Sequence, residues 1–291
     1  MHGVDQASRN RRTKYLKGQY WGGLLGWVAL INPKLAITLE KRNSGNSREF
    51  HIYGLRLLNV MMRRFEEHGG TPLGHSEILE LGCGMGRYTL PLACRFQHVH
   101  AVDISKQILR AARKYCSSAP NISFYANDGH TLGSFADESI EYVLCTGVIQ
   151  HIPDFDVIGG YVKEVLRVLK DGGLYLFTFQ VHHTQATGSR RTGAKITAEA
   201  LDRCLSEAPY EILEISNDPE DPVPHFLVLI RKNKSASAEK KSFANFPLTN
   251  HPYRTGVFED LISCKDMIEL WKKPQPRITF YDKESSGNAT G

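Results

Sequence analysis

Ile78-Leu79-Glu80-Leu81-Gly82-Cys83-Gly84-Met85-Gly86-Arg87 is an apolar, strand-forming run that carries one acid and opens into a turn with glycine at every second position. Glycine lets a backbone turn sharply at the end of a strand and approach a ligand closely, and the helix expected next offers unbonded N–H groups to it. The stretch therefore reads as a nucleoside-cofactor loop at the carboxyl edge of a sheet. Its spacing separates the cofactor types. A dinucleotide fingerprint, Gly-x-Gly-x-x-Gly, counted from Gly82 needs glycine at position 87, where this chain has Arg87.

Outward from this loop, strand-like runs alternate with helical patterns from about residue 76 to 232, the signature of a parallel α/β sheet. The runs fall at 78–82, 98–103, 122–126, 140–145, 173–179, 211–216 and 225–231. Ser105 is placed to cap a helix carrying Ile108, Ala112 and Tyr115, and a second helix carries Ile158, Val162, Val165 and Leu169 at three-to-four spacing. Lys170-Asp171-Gly172-Gly173 is expected to end that helix, with glycine supplying the positive φ of a C-cap. The last two strand runs are joined by a short Asp- and Pro-rich linker without a helix, so one strand is expected to run reversed. Ahead of the first strand, Ile52, Leu55, Leu58, Met62 and Phe65 form a helical stripe expected to dock on the sheet.

Two acids fall at successive strand tips. Asp103 closes the run His98-Val99-His100-Ala101-Val102, on the strand that neighbours the first in a βαβ unit, where a carboxylate can accept from both hydroxyls of a ribose. Read locally, it is equally a helix-capping residue ahead of Ser105. Asp128, in Ala126-Asn127-Asp128-Gly129, stands where a carboxylate can accept from an adenine amino group, although Asn-Asp-Gly is also ordinary turn chemistry.

Taken together, Glu-x-Gly-x-Gly-x-Gly over 80–86 and the two downstream acids resemble the class I S-adenosylmethionine-dependent methyltransferases, motif I above all, and the resemblance covers roughly residues 50–232. It implies S-adenosyl-L-methionine as cofactor, with S-adenosyl-L-homocysteine as product. It implies an α/β, Rossmann-like, seven-stranded and mostly parallel sheet with the last strand antiparallel, here with an N-terminal helical segment and a C-terminal extension. The cofactor-binding residues expected are Glu80, Gly82, Cys83, Gly84 and Gly86 in the loop, Asp103 and Ile104 after the second strand, and Asp128 and Gly129 after the third. After the fourth strand, Cys145-Thr146-Gly147-Val148-Ile149-Gln150-His151 looks like the corresponding segment of small-molecule methyltransferases, which adds Thr146 and Gln150 to that set.

Methyl transfer from a sulfonium is an in-line displacement on an activated donor, so alignment does most of the work, up to roughly 7–11 kcal/mol in favourable cases. A hydroxyl or protonated amine acceptor also needs a base, and His suits neutral pH. His151 is the first candidate, with His183 of the pair His182-His183 the second; each also reads as a residue with no catalytic part. Arg87, Tyr20 and Trp21 are further candidates for the cofactor's carboxylate or sulfonium. The Asp/Asn-Pro-Pro-Tyr/Phe motif of amino-directed nucleic-acid methyltransferases, the Pro-Cys nucleophile of five-methylpyrimidine enzymes and the double-glutamate loop of protein arginine methyltransferases are all missing. The expected reaction is therefore methylation of an O or N atom of a small metabolite or natural product. Alternatives are a nucleic-acid methyltransferase, which the basic cluster Arg9 to Lys17 permits, a non-catalytic methyltransferase-like partner subunit, and a nicotinamide-dependent oxidoreductase.

Composition sets the outer bounds. Over 291 residues, 41% apolar and 23% charged content is that of a globular chain, and a net charge of +5 is too small to imply nucleic acid by itself. The six cysteines form no CxxC pair, so neither a disulfide framework nor a metal site is expected. A cytoplasmic setting is expected, because the apolar run after Arg11-Arg12 is too short to span a bilayer and lacks a small-residue cleavage site. Three segments result: an arm or lid at 1–48, the catalytic domain at 49–232, and a linker and extension at 233–291.

Overall fold

The computed structural model describes residues 47–180, 194, 196–217, 225–235 and 242–250. The expectations on the arm with Tyr20 and Trp21, on His182 and His183, and on a C-terminal helix over 256–273 lie outside the described residues. The elements run α1 (Ser47–His68), β1 (Glu77–Leu81), α2 (Thr89–Ala93), β2 (His98–Asp103), α3 (Lys106–Tyr115), β3 (Ile122–Ala126), β4 (Ile140–Cys145), α4 (Phe155–Val168), β5 (Leu169–Gln180), α5 (Ala198–Leu205), β6 (Tyr210–Asn217), β7 (His225–Lys232) and β8 (Thr249–Asn250).

The strands form one sheet in the order β3-β2-β1-β4-β5-β7-β6-β8. β1 pairs in parallel with β2 and β4, β2 with β3, and β4 with β5, while β7 lies antiparallel to both β5 and β6. The expected reversed strand is thus β7. The seven expected strands are all present, and β8 adds a short parallel edge to β6.

Alternation along β1 divides the core. Leu79 and Leu81 face α4 and α5 in one apolar cluster with Val143, Tyr175 and Phe177, whereas Ile78 faces the opposite cluster with α1. Both faces are covered, as a parallel sheet requires. On α1, Leu55, Leu58, Met62 and Phe65 are buried, and Arg64 from the same helix reaches Glu214 of β6 with Nε and Nη2 at 3.0 and 2.8 Å. Ser105 caps α3 by accepting from the Ile108 N–H, as its position predicts.

Two local expectations are corrected. α4 ends at Val168 with extended Leu169 as its C-cap, so glycine does not cap it. Gly172 does take a positive φ of 78°, but inside β5, where the register with β4 shifts between Ile140 and Tyr142. Arg87 is expected from the sequence just inside the helix after the glycine loop, but that helix begins only at Thr89, so Arg87 stands in the loop.

Candidate functional site

The sheet reverses its strand order between β1 and β4, which opens a crevice beyond their carboxyl ends. A cavity of about 230 Å³ lies there. The glycine loop supplies Leu81, Gly82 and Gly84, and the tip of β2 supplies Asp103 and Ile104. Asn127 and Gly129 enter from β3, Gly147, Val148 and His151 from the segment after β4, and Val157 and Tyr161 from α4.

The loop is built by backbone. The N–H groups of Gly82 and Cys83 both donate to the carbonyl of Val102, at 2.8 and 3.0 Å, which ties the loop to β2. Gly82, Gly84 and Gly86 all take positive φ, the left-handed region that favours glycine. Their surroundings differ. A Cβ on Gly82 would lie 2.2 Å from the Val148 side chain and one on Gly86 would lie 2.6 Å from Cys116 Sγ, whereas at Gly84 it would meet nothing within 4 Å. Gly82 and Gly86 therefore serve close packing, and Gly84 leaves bare backbone beside the cavity.

Asp103 is held in the cavity by backbone N–H groups. Its Oδ2 accepts from the Gly84 N–H at 3.0 Å and its Oδ1 from the Ser105 N–H at 2.9 Å. Burial pushes its pKa up, and hydrogen bonds from the backbone of Ser105, Gly84 and Ile104 oppose that. Asp103 lines a cavity whose other walls include the aliphatic side chains of Leu81, Ile104, Ile108, Val148 and Val157.

Not every expected residue lines the cavity. Glu80 lies beneath the loop, 3% exposed, and accepts from Thr89 Oγ1 at 2.6 Å. Cys83 is buried against Ala101 and Leu109, and Gly86 packs on α3. Thr146 and Gln150 are half-buried and are not among the lining residues. Asp128 instead closes its own turn: Oδ1 accepts from the N–H groups of His130 and Thr131, both at 2.8 Å. It borders a neighbouring cavity of about 200 Å³.

His151 is exposed at the mouth, on a single 3-10 turn, Ile149–His151, held by its own N–H to the Val148 carbonyl at 2.9 Å. The segment that follows is fixed by the Ala194 N–H donating to the Ile152 carbonyl at 2.7 Å. Sequence reasoning missed Ile108, Asn127, Val157 and Tyr161. Val157 and Tyr161 are four residues apart on α4, a spacing that marks one helical face but not what that face meets. Among the described residues no cluster of three or more His, Cys, Asp or Glu side chains is arranged to hold a metal ion.

Comparison with known proteins agrees with this architecture. Residues 78–173 match the methyltransferase domain family. The chain is 30% identical over 125 residues to the ubiquinone biosynthesis O-methyltransferase of Idiomarina loihiensis, covering 43% of this chain and 50% of that protein. It is 31% identical over 97 residues to the demethylmenaquinone methyltransferase of Tropheryma whipplei, covering 33% and 38%. A match at 24% identity to nodulation protein S of Rhizobium tropici is longer, at 66% of this chain and 76% of that one. The chain thus spans half or less of the first two relatives' length. Among solved structures, an S-adenosylmethionine-dependent methyltransferase from Clostridium acetobutylicum superposes with a TM-score of 0.51 at 16% identity, covering 61% of this chain and 91% of its own. That likeness establishes the fold.

Proposed function

We propose, with a class I S-adenosylmethionine-dependent methyltransferase domain over residues 78–173 as the premise, that this chain methylates an O or N atom of a small-molecule acceptor. The observation that carries the cofactor reading is Asp103, an acid at the tip of β2 that lines the cavity with both oxygens aligned by backbone N–H groups. A carboxylate so held matches a vicinal diol. Bare backbone at Gly84 and Gly147, where an added Cβ would meet nothing within 4 Å, fits close approach of a nucleoside. When bound, S-adenosylmethionine supplies a methyl group already activated by the sulfonium.

The residues of the chain then divide the work. Asp103 anchors the ribose, Gly82 and Gly84 shape the floor, and the aliphatic walls from Ile104, Ile108 and Val148 exclude water. Gly129 lies beside the base, with the Asp128 turn holding it in place. Glu80, Cys83 and Gly86 act from beneath by setting the loop, and Thr146 and Gln150 stay the cofactor-binding candidates of the segment after β4. His151 at the mouth takes the proton from an acceptor hydroxyl or ammonium, with His183 as the second base candidate. Acceptors of small size are supported by the quinone-pathway names of two relatives and by the missing nucleic-acid motifs. A cytoplasmic setting goes with this cofactor, and no helix among the described residues is long and apolar enough to cross a membrane.

Titration calorimetry with S-adenosylhomocysteine and with NADH tests the cofactor reading. Binding of the first alone is expected, and binding of NADH alone would overturn it. For the acceptor class, protein–RNA and protein–DNA mixtures at low salt should give no binding that weakens steeply as salt rises; such binding would favour the nucleic-acid alternative.

A further inference from the structure

We infer that Asn127 and Tyr161 form the base-recognition pair of this cavity, the Asn127 amide oxygen accepting from a purine amino group and the Tyr161 hydroxyl donating to an adjacent ring nitrogen. The inference rests on the methyl-donor reading above and assigns it residues that the sequence did not single out.

The aliphatic cavity has few polar groups. Asp103 marks one end, and the Asn127–Tyr161 pair lies on the side of β3 and α4. Tyr161 is 6% exposed, and its hydroxyl oxygen accepts from Asn127 Nδ2 at 2.8 Å. That is the hydroxyl's sole hydrogen-bond partner among the described residues, so its proton is free to be donated. Burial raises the phenol pKa far above its ordinary value, so the proton stays in place at neutral pH. The amide's orientation is set by the same contacts: Nδ2 also reaches the Thr131 carbonyl at 3.5 Å, which can only accept. Oδ1 is left as an unengaged acceptor among the described residues.

One acceptor beside one donor is the complement of adenine, whose amino group donates and whose neighbouring ring nitrogens accept. A base with a carbonyl in place of the amino group would set two acceptors face to face. The Asp128 carboxylate is worse placed. Oδ1 takes two backbone N–H groups, Thr131 Oγ1 lies 3.3 and 3.2 Å from its two oxygens, and the side chain borders the neighbouring cavity.

The test compares S-adenosylhomocysteine with its deaminated counterpart S-inosylhomocysteine by equilibrium binding, first on the wild-type protein. A preference for the amino form of roughly 10-fold or more is expected, and equal affinities would overturn the assignment. Tyr161→Phe, which keeps the ring, should weaken S-adenosylhomocysteine by roughly 3- to 10-fold, the scale of one hydrogen bond. Asn127→Ala should bring the two ligands within about 3-fold of each other. Thermal melting of each variant separates loss of recognition from loss of fold. If Asp128→Asn erased the preference while Tyr161→Phe kept it, Asp128 would be the reader and the proposal would fail. A wild-type protein that binds neither ligand would instead overturn the methyl-donor reading, and this inference with it.

Discussion

Asp103 has two duties that substitution separates. It accepts from the Gly84 and Ser105 N–H groups, which ties the glycine loop to the tip of β2, and it lines the cavity. Asp103→Ala is expected to weaken S-adenosylhomocysteine by roughly 10- to 100-fold, the scale of one or two charge-assisted hydrogen bonds, as read by calorimetry. If the chain were a partner subunit that makes no use of a cofactor, no ligand affinity would be lost. Glu80 behaves differently. Burial lifts its pKa from 4.5 to about 8, with Asp103 adding to the rise and Thr89 and Arg87 opposing it. In the unfolded chain the carboxyl ionises near its ordinary value, so its contribution is full below about pH 4.5 and is lost as pH climbs through the folded pKa near 8. The melting temperature of Glu80→Gln minus that of wild type should therefore rise between pH 5 and 8. A difference flat with pH would mean that Glu80 is ionised inside the fold.

At the scale of elements, the glycine loop shows that one motif serves two ends. All three glycines need positive φ, so alanine at any of them costs about 1 kcal/mol or more in backbone strain. Gly86→Ala adds a clash with Cys116 on the end of α3, and chemical denaturation should find it less stable than Gly84→Ala. Gly84→Ala, with open space around it, should retain more stability yet lose ligand affinity, because Gly84 lines the cavity and its added methyl would occupy that open space. Equal affinity loss in both variants would place Gly84 among the packing glycines. α4 is the second element with two ends: Ile158, Val162 and Val165 bury against the sheet, while Val157 and Tyr161 reach the cavity.

For the whole molecule, α1 is joined to β6, the strand next to the β8 edge, by Arg64, which is 6% exposed and also donates to the Val60 carbonyl at 3.0 Å. Arg64→Ala leaves Glu214, in a mostly buried setting, with the Ser216 hydroxyl but no cation, and urea unfolding should show a loss of about 3 kcal/mol. A loss under about 1 kcal/mol would mark the pair as solvent-screened. Much of this architecture was legible from the chain. Period-two and three-to-four apolar patterns are local, and they gave the seven strands, the docking stripe of α1 and the reversed β7, because a linker too short for a crossover allows no other direction. The glycine spacing and Asp103 were equally legible, since a βαβ unit places the second strand tip beside the first. What the chain did not reveal was which residues face the cavity. Glu80 turned inward to Thr89, Gly86 to Cys116 and Asp128 to its own turn, while Asn127 and Tyr161, 34 residues apart, met on one wall of the cavity. Periodicity and turn chemistry are properties of neighbouring residues, so sequence determines them; a pocket is a meeting of distant ones, and only packing decides it.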